Sequence, residues 1–260
     1  MKIFSAAQIK NGDLFTIKNE PIASVHLMEK AAMACTDFIH HKYLKTQNIL
    51  IFCGNGNNGG DGLAMARLLY QKGFDVDVFI DKSKKDFSKD AEINYHRLKE
   101  FLGIRILDFT DFNESFINED SIIVDALFGT GLNRKIEGEI AKIIQKLNPI
   151  HAHKIEIDIP SGVLADGNIP ENAVVFKADE TLSLQFCKQS FLHSEISEYC
   201  GKIHILEIGI SKIYIENTET PHYITDEEIV RKIYKKRKDT SHKGNYGKTC
   251  IVAGSFGKIG

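Results

Sequence analysis

Residues 47–62 read QNILIFCGNGNNGGDG, a largely apolar run that opens onto a loop of glycines, asparagines and one aspartate. The run 47–53 is short, which is typical of a strand buried on both faces. After the loop, apolar residues from Leu63 to Tyr70 recur at helical spacing. The segment therefore predicts a strand, a glycine-rich turn and a helix, the repeating unit of a parallel α/β sheet.

The same alternation continues on both sides of this segment. Helices are predicted at 20–43, 87–101 and 136–147, and strands at 75–80, 104–107, 121–125 and 154–158. Alternating elements favour right-handed crossovers, so the predicted fold is a Rossmann-like three-layer α/β/α domain with a mostly parallel sheet. Strands predicted at 173–177, 181–186 and 202–207 lack long helices between them, and we expect the sheet to finish with a different topology.

Composition limits the kinds of partner. The chain has 260 residues, of which 43% are hydrophobic and 26% charged, and its formal net charge is −2. This balance is typical of a globular protein and provides no general polyanion-binding surface, so we expect no nucleic-acid partner. The lysine-rich stretches 82–85 and 235–238 are most simply solvated faces.

Cysteine usage and hydropathy indicate the compartment. The five cysteines are odd in number and scattered, without a Cys-x-x-Cys pair. That pattern fits reduced thiols better than a disulfide scaffold or a zinc site. Residues 1–14 contain no recognisable signal peptide, and no stretch approaches the ~20 apolar residues that span a bilayer. We therefore expect a soluble cytoplasmic protein without a membrane partner.

Three polar loops each follow the carboxyl end of a predicted strand. They occupy residues 54–62, 125–135 and 158–166. In an open parallel sheet the carboxyl ends of the strands lie at one edge, where ligands bind. The topology therefore predicts that the three loops converge on one site.

The first loop combines a glycine pattern with polar side chains. Its glycines follow G-x-G-x-x-G over residues 54–59, which allows backbone N–H groups to approach phosphate oxygens. Asn57, Asn58 and Asp61 add oxygen atoms that suit a hydroxylated ligand or a hard cation. The alternatives are a glycine-rich connection without a ligand, and polar residues that only cap the next helix.

The second and third loops begin with acids at matching strand ends. Asp125 and Asp158 are costly to desolvate there unless a cation or hydrogen-bond donors meet them. Residues 129–131, Gly-Thr-Gly, offer a second anion cradle, which 133–135, Asn-Arg-Lys, extend. Ser161 follows three residues after Asp158. Taken alone, Asp158 also fits a turn-forming acid ahead of proline, but two such acids beside glycine loops favour a ligand site.

These segments together resemble the NAD(P)H-hydrate epimerase family, also called the YjeF N-terminal domain family. The resemblance covers about residues 1–215 and rests on four segments in the family's order, at 27–31, 54–62, 125–132 and 158–162. The Asn-Asn-Gly-Gly-Asp run is far more specific than a glycine fingerprint. Two short stretches, 31–32 and 165–168, depart from the family's usual sequence and bear on loop shape.

The resemblance implies an isomerase that acts on hydrated NADH or NADPH. It implies that the substrate is bound by Asp158 and by two runs of residues, Asn57, Asn58, Gly59, Gly60, Asp61 and Gly129, Thr130, Gly131, Leu132, Asn133, Arg134, Lys135. It also implies a K⁺ ion held by Asn58, Asp125 and Ser161. The sequence leaves the choice between NADH and NADPH hydrates open, as it does the oligomeric state, for which a homodimer or higher homo-oligomer is expected.

An epimerase must break and remake a bond at the hydroxyl-bearing carbon of the hydrated nicotinamide ring. We hypothesise acid-assisted loss of the hydroxyl, an iminium stabilised by the ring nitrogen, and return of water on the other face. Asp158 is the predicted catalytic residue, because it lies at the sheet edge without a predicted metal role.

Two other classes of function stay open at this stage. One is an oxidoreductase that uses intact NAD, which leaves the asparagine-rich loop unexplained. The other is a binding and dimerisation scaffold like those of mRNA decapping, which has no need for Asn58, Asp125, Asp158 and Ser161 together.

The last part of the chain has a resemblance of its own. Residues 241–249 and 251–255 resemble the opening of an ADP- or ATP-dependent NAD(P)H-hydrate dehydratase, which has a ribokinase-like fold. We reject a P-loop at 247–249, because position 242 is His rather than Gly and the predicted strand follows the motif. The predicted division is an epimerase domain at 1–215, then a linker and the truncated start of a dehydratase domain at 216–260 of a bifunctional protein.

Overall fold

The computed structural model describes residues 1–84, 86–248 and 250–254, with only the backbone at residue 228. Within them the strands are β1 Asn48–Cys53, β2 Asp75–Ile80, β3 Arg105–Asp108, β4 Ile122–Ala126, β5 His153–Ile157, β6 Glu180–Leu184 and β7 Lys202–Leu206. They form one parallel sheet in the order β3-β2-β1-β4-β5-β6-β7. Because β1, β4 and β5 are neighbours, the loops at their carboxyl ends are adjacent.

Eight α-helices accompany the strands in the described part of the chain. They are α1 Ala6–Asn19, α2 Ser24–Lys42, α3 Asn57–Gln71, α4 Lys89–Lys99, α5 Gly138–Leu147, α6 Ser194–Cys200, α7 Lys212–Asn217 and α8 Glu227–Ile233. Short 3₁₀ helices cover Phe109–Asp111, Glu114–Phe116, Gln189–Leu192 and Lys243–Tyr246.

The sheet is buried on both faces. On β1, Ile49 and Ile51 pack in a core shared with residues of α2, α3 and α4. The alternate residues Leu50 and Phe52 pack on the opposite side, in a core shared with α5. This alternation explains the continuous apolar run in the sequence. The Rossmann-like three-layer α/β/α fold is therefore confirmed, and the sheet is parallel throughout.

Helix α1 is absent from the sequence-based prediction. Its apolar pattern is weak, since only Ile9, Gly12 and Thr16 are buried. It begins with a capping box in which Ser5 Oγ accepts from Gln8 N and Gln8 Oε1 accepts from Ser5 N. The Ser-x-x-Gln spacing is the signal that would have found this helix.

Two predictions about the end of the sheet are wrong. Residues 173–177 form no strand, because their backbone polar groups bond elsewhere: Phe176 N donates to Ser161 O at 2.9 Å, and Asn148 Nδ2 donates to Val175 O at 2.9 Å. The topology also does not change, since β6 pairs in parallel with β5, and β7 with β6. The short helix α6 lies between β6 and β7 along the chain.

Of the described residues, those from Lys2 to Tyr223 form one compact unit, and Met1 with those from Ile224 onward forms a second. In the second unit, the Met1 amino group donates to Ile224 O at 2.8 Å and pairs with Asp226. Within the linker predicted after residue 215, α8 forms a helix. The sequence also predicts a strand from Thr249 to Ser255, and these two residues lie outside the described ones. Residues 250–254 have no regular structure. The domain boundary after residue 215 stays a prediction.

The cysteines are free thiols, four of them buried and Cys250 exposed. Every helix in the described ranges is too short or too polar to cross a bilayer.

The glycines of the first loop differ in what they tolerate, which gives a testable prediction. A Cβ at Gly59 would lie 1.8 Å from Gly54 O, a backbone atom, whereas a Cβ at Gly56 meets nothing within 4 Å. We expect Gly59→Ala to lower the free energy of unfolding by about 1–3 kcal/mol or more, as overpacking does. Gly56→Ala is the matched control and should stay within about 0.5 kcal/mol of wild type. Urea denaturation measures both, and equal effects would contradict this packing.

Candidate functional site

The loop after β4 is tied to acids and hydroxyls on two neighbouring strand ends. Leu127 N donates to Asp125 Oδ1 at 2.9 Å, and Phe128 N donates to Ser161 Oγ at 2.9 Å. Thr130 N donates to Asp158 Oδ2 at 3.2 Å. Three backbone amides in four residues are therefore held by side chains at the ends of β4 and β5.

Asp125 and Ser161 form the buried base of this arrangement. Ser161 Oγ donates to Asp125 Oδ1 at 2.9 Å, and Ser161 N approaches Asp125 Oδ2 at 3.2 Å. Both residues are fully buried. Burial raises the pKa of the Asp125 carboxyl, while the hydrogen bonds to it act in the opposite direction. The hydrogen bonds between Asp125 and Ser161 join the loop after β4 to the loop after β5.

Asp158 is held by a buried lysine that the sequence-based prediction missed. Its backbone lies in the left-handed region at φ 76°, which costs a non-glycine residue about 1–3 kcal/mol and is often found at functional sites. Its carboxylate pairs with Lys188 Nζ. Lys188 is fully buried and also donates to Ser183 Oγ at 2.9 Å. Lys188 is the one charged residue of the sequence between Glu180 and Glu195, which is the signal that would have found it.

Gly129 brings the first loop into contact with the third. A Cβ at this glycine would lie 3.1 Å from Asp158 Oδ2 and 3.2 Å from Asn58 Oδ1. The backbone at Gly129 therefore lies between the two side chains, and a larger residue would press on both. The predicted convergence of the three loops is confirmed by these contacts, whereas the roles of the individual residues stay predictions.

The converging loops line a cavity of about 870 Å³, within the range of small-molecule sites. Of the residues predicted to bind substrate, nine line it: Asn57, Asn58, Asp61, Gly129, Thr130, Gly131, Leu132, Asn133 and Asp158. Helix α1 closes one side with Lys10 and Asp13 among others. A cavity lined by amides, carboxylates and the N-terminus of α3 suits a polar, phosphate-bearing ligand.

Comparison with known proteins assigns the family. A family profile described as YjeF-related protein N-terminus matches residues 24–190. The chain is 35% identical over 208 residues to the NAD(P)H-hydrate epimerase of Oenococcus oeni. The aligned residues cover 79% of this chain and 96% of that protein. The chain belongs to the NAD(P)H-hydrate epimerase family.

A longer relative agrees with this assignment, and a solved structure shares the fold. The epimerase-family chain is 32% identical over 261 residues to the bifunctional NAD(P)H-hydrate repair enzyme Nnr of Dictyoglomus turgidum. That match covers 98% of this chain and 50% of the relative, so the chain spans about half the length of such bifunctional proteins. The crystal structure of yeast ynu0, YNL200c, superposes with a TM-score of 0.68 at 20% identity, covering 86% of this chain and 97% of that one. This likeness shows the fold.

Several residues that the epimerase resemblance implies lie outside the cavity lining. Gly59 and Gly60 are buried in the first turn of α3, where Gly60 faces Met28. Arg134 and Lys135 are exposed. Their roles in substrate binding stay predictions. Asp125 and Ser161 lie beneath the cavity rather than at its wall, as expected of residues that hold a loop or an ion.

Two further acids share the cavity of this epimerase-family chain with Asp158. Burial and the nearby Asp158 raise the pKa of Asp13 to about 6. Burial, with Asp158 and Asp13, raises the pKa of Asp61 well above its usual range. The sequence-based prediction missed Asp13 because this residue lies in α1, a helix that was not predicted. The cavity therefore contains carboxyl groups in different environments, which is typical of acid–base sites.

The buried ion pair gives a prediction about stability. Lys188→Met removes the partner of a nearly buried carboxylate, and we expect a loss of about 3–5 kcal/mol in the free energy of unfolding. The double variant Lys188→Met, Asp158→Asn should regain part of that loss, since no unpaired charge is left. Urea denaturation of Lys188→Met, Asp158→Asn and the double variant, each against wild type, measures the coupling. A single Lys188→Met variant as stable as wild type would contradict the ion pair.

Proposed function

We propose that this chain interconverts the R and S forms of hydrated NADH or NADPH. The observation that carries the proposal is the meeting of Asn58, Gly129 and Asp158 at one cavity, in a chain that belongs to the epimerase family. A scaffold protein needs no such cluster of side chains. An oxidoreductase that uses intact cofactor has no use for the acidic residues of the cavity. The proposed substrate carries phosphates, which the N-terminus of α3 and Lys10 favour.

The proposed chemistry exchanges one hydroxyl at one carbon. The carbon–oxygen bond breaks as its electron pair goes to the hydroxyl oxygen, which takes a proton and departs as water. The ring nitrogen shares its lone pair with the carbon, and the resulting iminium is positively charged. Water then adds to the other face and gives up a proton. The reaction needs a group that donates a proton and a group that accepts one.

Two carboxyls at the cavity suit these tasks. Asp158 is our proposed proton-handling carboxylate, since it faces the cavity and pairs with Lys188. As a carboxylate it also stabilises the positive iminium. Asp13 is our proposed donor, because its pKa of about 6 leaves part of the population protonated near neutral pH. Within the described residues, Asp13 makes no side-chain hydrogen bond or ion pair that would occupy it.

The buried oxygens below the cavity fit a potassium ion. Asp125 and Ser161 offer a carboxylate and a hydroxyl, and Asn58 has a buried amide nitrogen without a partner in the described part of the chain. Because amide nitrogen and oxygen exchange places on rotation, Asn58 can turn its oxygen toward a cation. These three residues would hold the ion. Bound there, K⁺ would supply positive charge that fixes the loops and balances the acids.

We propose in addition that the complete protein joins this activity to a dehydratase. The support is the resemblance of residues 241–255 to a dehydratase opening, and the bifunctional relatives that are about twice as long. A cytoplasmic location and assembly as a homodimer or higher homo-oligomer stay predictions.

The proposed activity is tested with the R form of hydrated NADH. Its conversion to the S form, followed by chromatography, should exceed spontaneous epimerisation clearly when the chain is added. A time course that matches the protein-free sample would refute the proposal.

Asp158→Asn tests the proton-handling role. We expect the enzyme-dependent rate to fall by at least ~10²-fold, as is typical when a general acid or base is lost. Thermal denaturation serves as the control that the variant is folded. A rate within about twofold of wild type would remove Asp158 from this role.

The pH dependence tests Asp13. A donor must be protonated, so kcat/KM should fall as the pH rises through about 6, the pKa of Asp13. Asp13→Asn should lower the rate below pH 6 and abolish this pH-dependent decline. The spontaneous reaction is subtracted at each pH. A decline that persists unchanged in Asp13→Asn would assign it to another group.

A further inference from the structure

One buried acid is not used by the proposed chemistry. Glu156 lies on β5 directly opposite Asp125 of β4 in the sheet register. It is fully buried, and neither of its carboxylate oxygens has a hydrogen-bond partner within the described residues. Burial and Asp125 raise the pKa of Glu156, and the backbone N–H of Ser161 lowers it. Glu156 therefore adjoins two of the three residues proposed to hold a cation.

The two neighbouring carboxyls form no ion pair with a lysine, arginine or histidine of the described residues. The charged groups that act most strongly on Glu156 are two other acids, Asp125 and Asp158. Lys188 pairs with Asp158, and Lys154 donates to Ile150 O. Burial and Asp125 raise the pKa of Glu156 well above its usual range. Removing a carboxylate from water without a partner is unfavourable, so either a proton or a cation beside the pair would stabilise it.

We propose that Glu156 is a further ligand of a hard-cation site that it forms with Asp125 and Ser161. This inference rests on the cation included in the proposed function. A cation there meets the oxygens that the protein leaves without partners. With two carboxylates the site carries twice the negative charge expected from Asp125 alone, and affinity for hard cations rises with the number of charged ligands. K⁺ balances one of the two charges and Ca²⁺ balances both, and both ions prefer oxygen ligands.

The test measures cation binding through stability rather than activity. The full chain is freed of metal with a chelator and kept in tetramethylammonium chloride at constant ionic strength. The thermal unfolding midpoint of the protein is then followed as KCl or CaCl₂ replaces tetramethylammonium chloride. We expect the wild-type midpoint to rise and saturate with at least one of the two ions.

Glu156→Gln keeps the shape of the side chain and removes its charge. We expect this variant to need at least about tenfold more of the stabilising cation. Without cation, it should melt at or above the wild-type temperature, because the unpartnered carboxylate is gone. Glu119→Gln is the matched control, since Glu119 is exposed, and should titrate like wild type. Glu156→Ser serves as a second neutral variant in case Glu156→Gln does not fold.

Three results would overturn the inference. One is a wild-type midpoint that neither ion raises. A second is a wild-type protein that gains stability only as the pH falls, which would assign a shared proton to the two carboxyls. The third is an equal cation response in wild type and in the neutral Glu156 variants. Epimerisation assays on the same samples separate this inference from the proposed function, because cation-dependent stability and turnover are measured independently.

Discussion

The hydrogen bonds between Asp125 and Ser161 are the interaction on which the site depends. They join the ends of β4 and β5, and the same two side chains accept from Leu127 N and Phe128 N. The loop after β4 is thereby placed so that Gly129 fits between Asn58 and Asp158. Without this connection the first and third loops would lose their common neighbour. A short buried network thus converts three distant segments into one wall of a cavity.

This arrangement is costly to build. Four acidic side chains are buried in it, those of Asp61, Asp125, Glu156 and Asp158. The backbone of Asp158 is in the left-handed region, and the side chain of Lys188 has no contact with solvent. The sheet beneath compensates, since its central strands are covered by apolar side chains on both faces. Rigid strands also limit the motion of the carboxyl groups at their ends, as catalysis by positioned groups requires. Binding of a cofactor-sized ligand and of a cation would relieve part of the accumulated charge.

Sequence patterns predicted most of the fold and most of the cavity wall, for physical reasons. Strands such as β1 and β4 are largely apolar because both faces of the sheet are covered, and polar residues lie at or beyond their carboxyl ends. Topology alone therefore brought Asn58, Asp125 and Asp158 together. The periodicity of apolar residues gave no correct prediction where a capping box, a side-chain hydrogen bond or a single buried charge determines the local structure. Helix α1 depends on its capping box, and with it Asp13 was missed. The extended stretch 173–177 bonds to Asn148 and Ser161 instead of to a strand. Lys188 and Glu156 were missed because single charged residues within apolar segments carry no periodic signal.

A crystal structure with the hydrated cofactor and a heavy monovalent cation tests the central claim most directly. Rubidium, located by its anomalous scattering, should lie against the oxygens of Asp125 and Ser161. The hydrated nicotinamide ring should lie in the cavity against Asp158 and the Gly129–Thr130 backbone, with the phosphates of the cofactor toward the start of α3. Density for the cofactor at another surface, with the cavity at Asn58 and Asp158 left to solvent, would contradict the account.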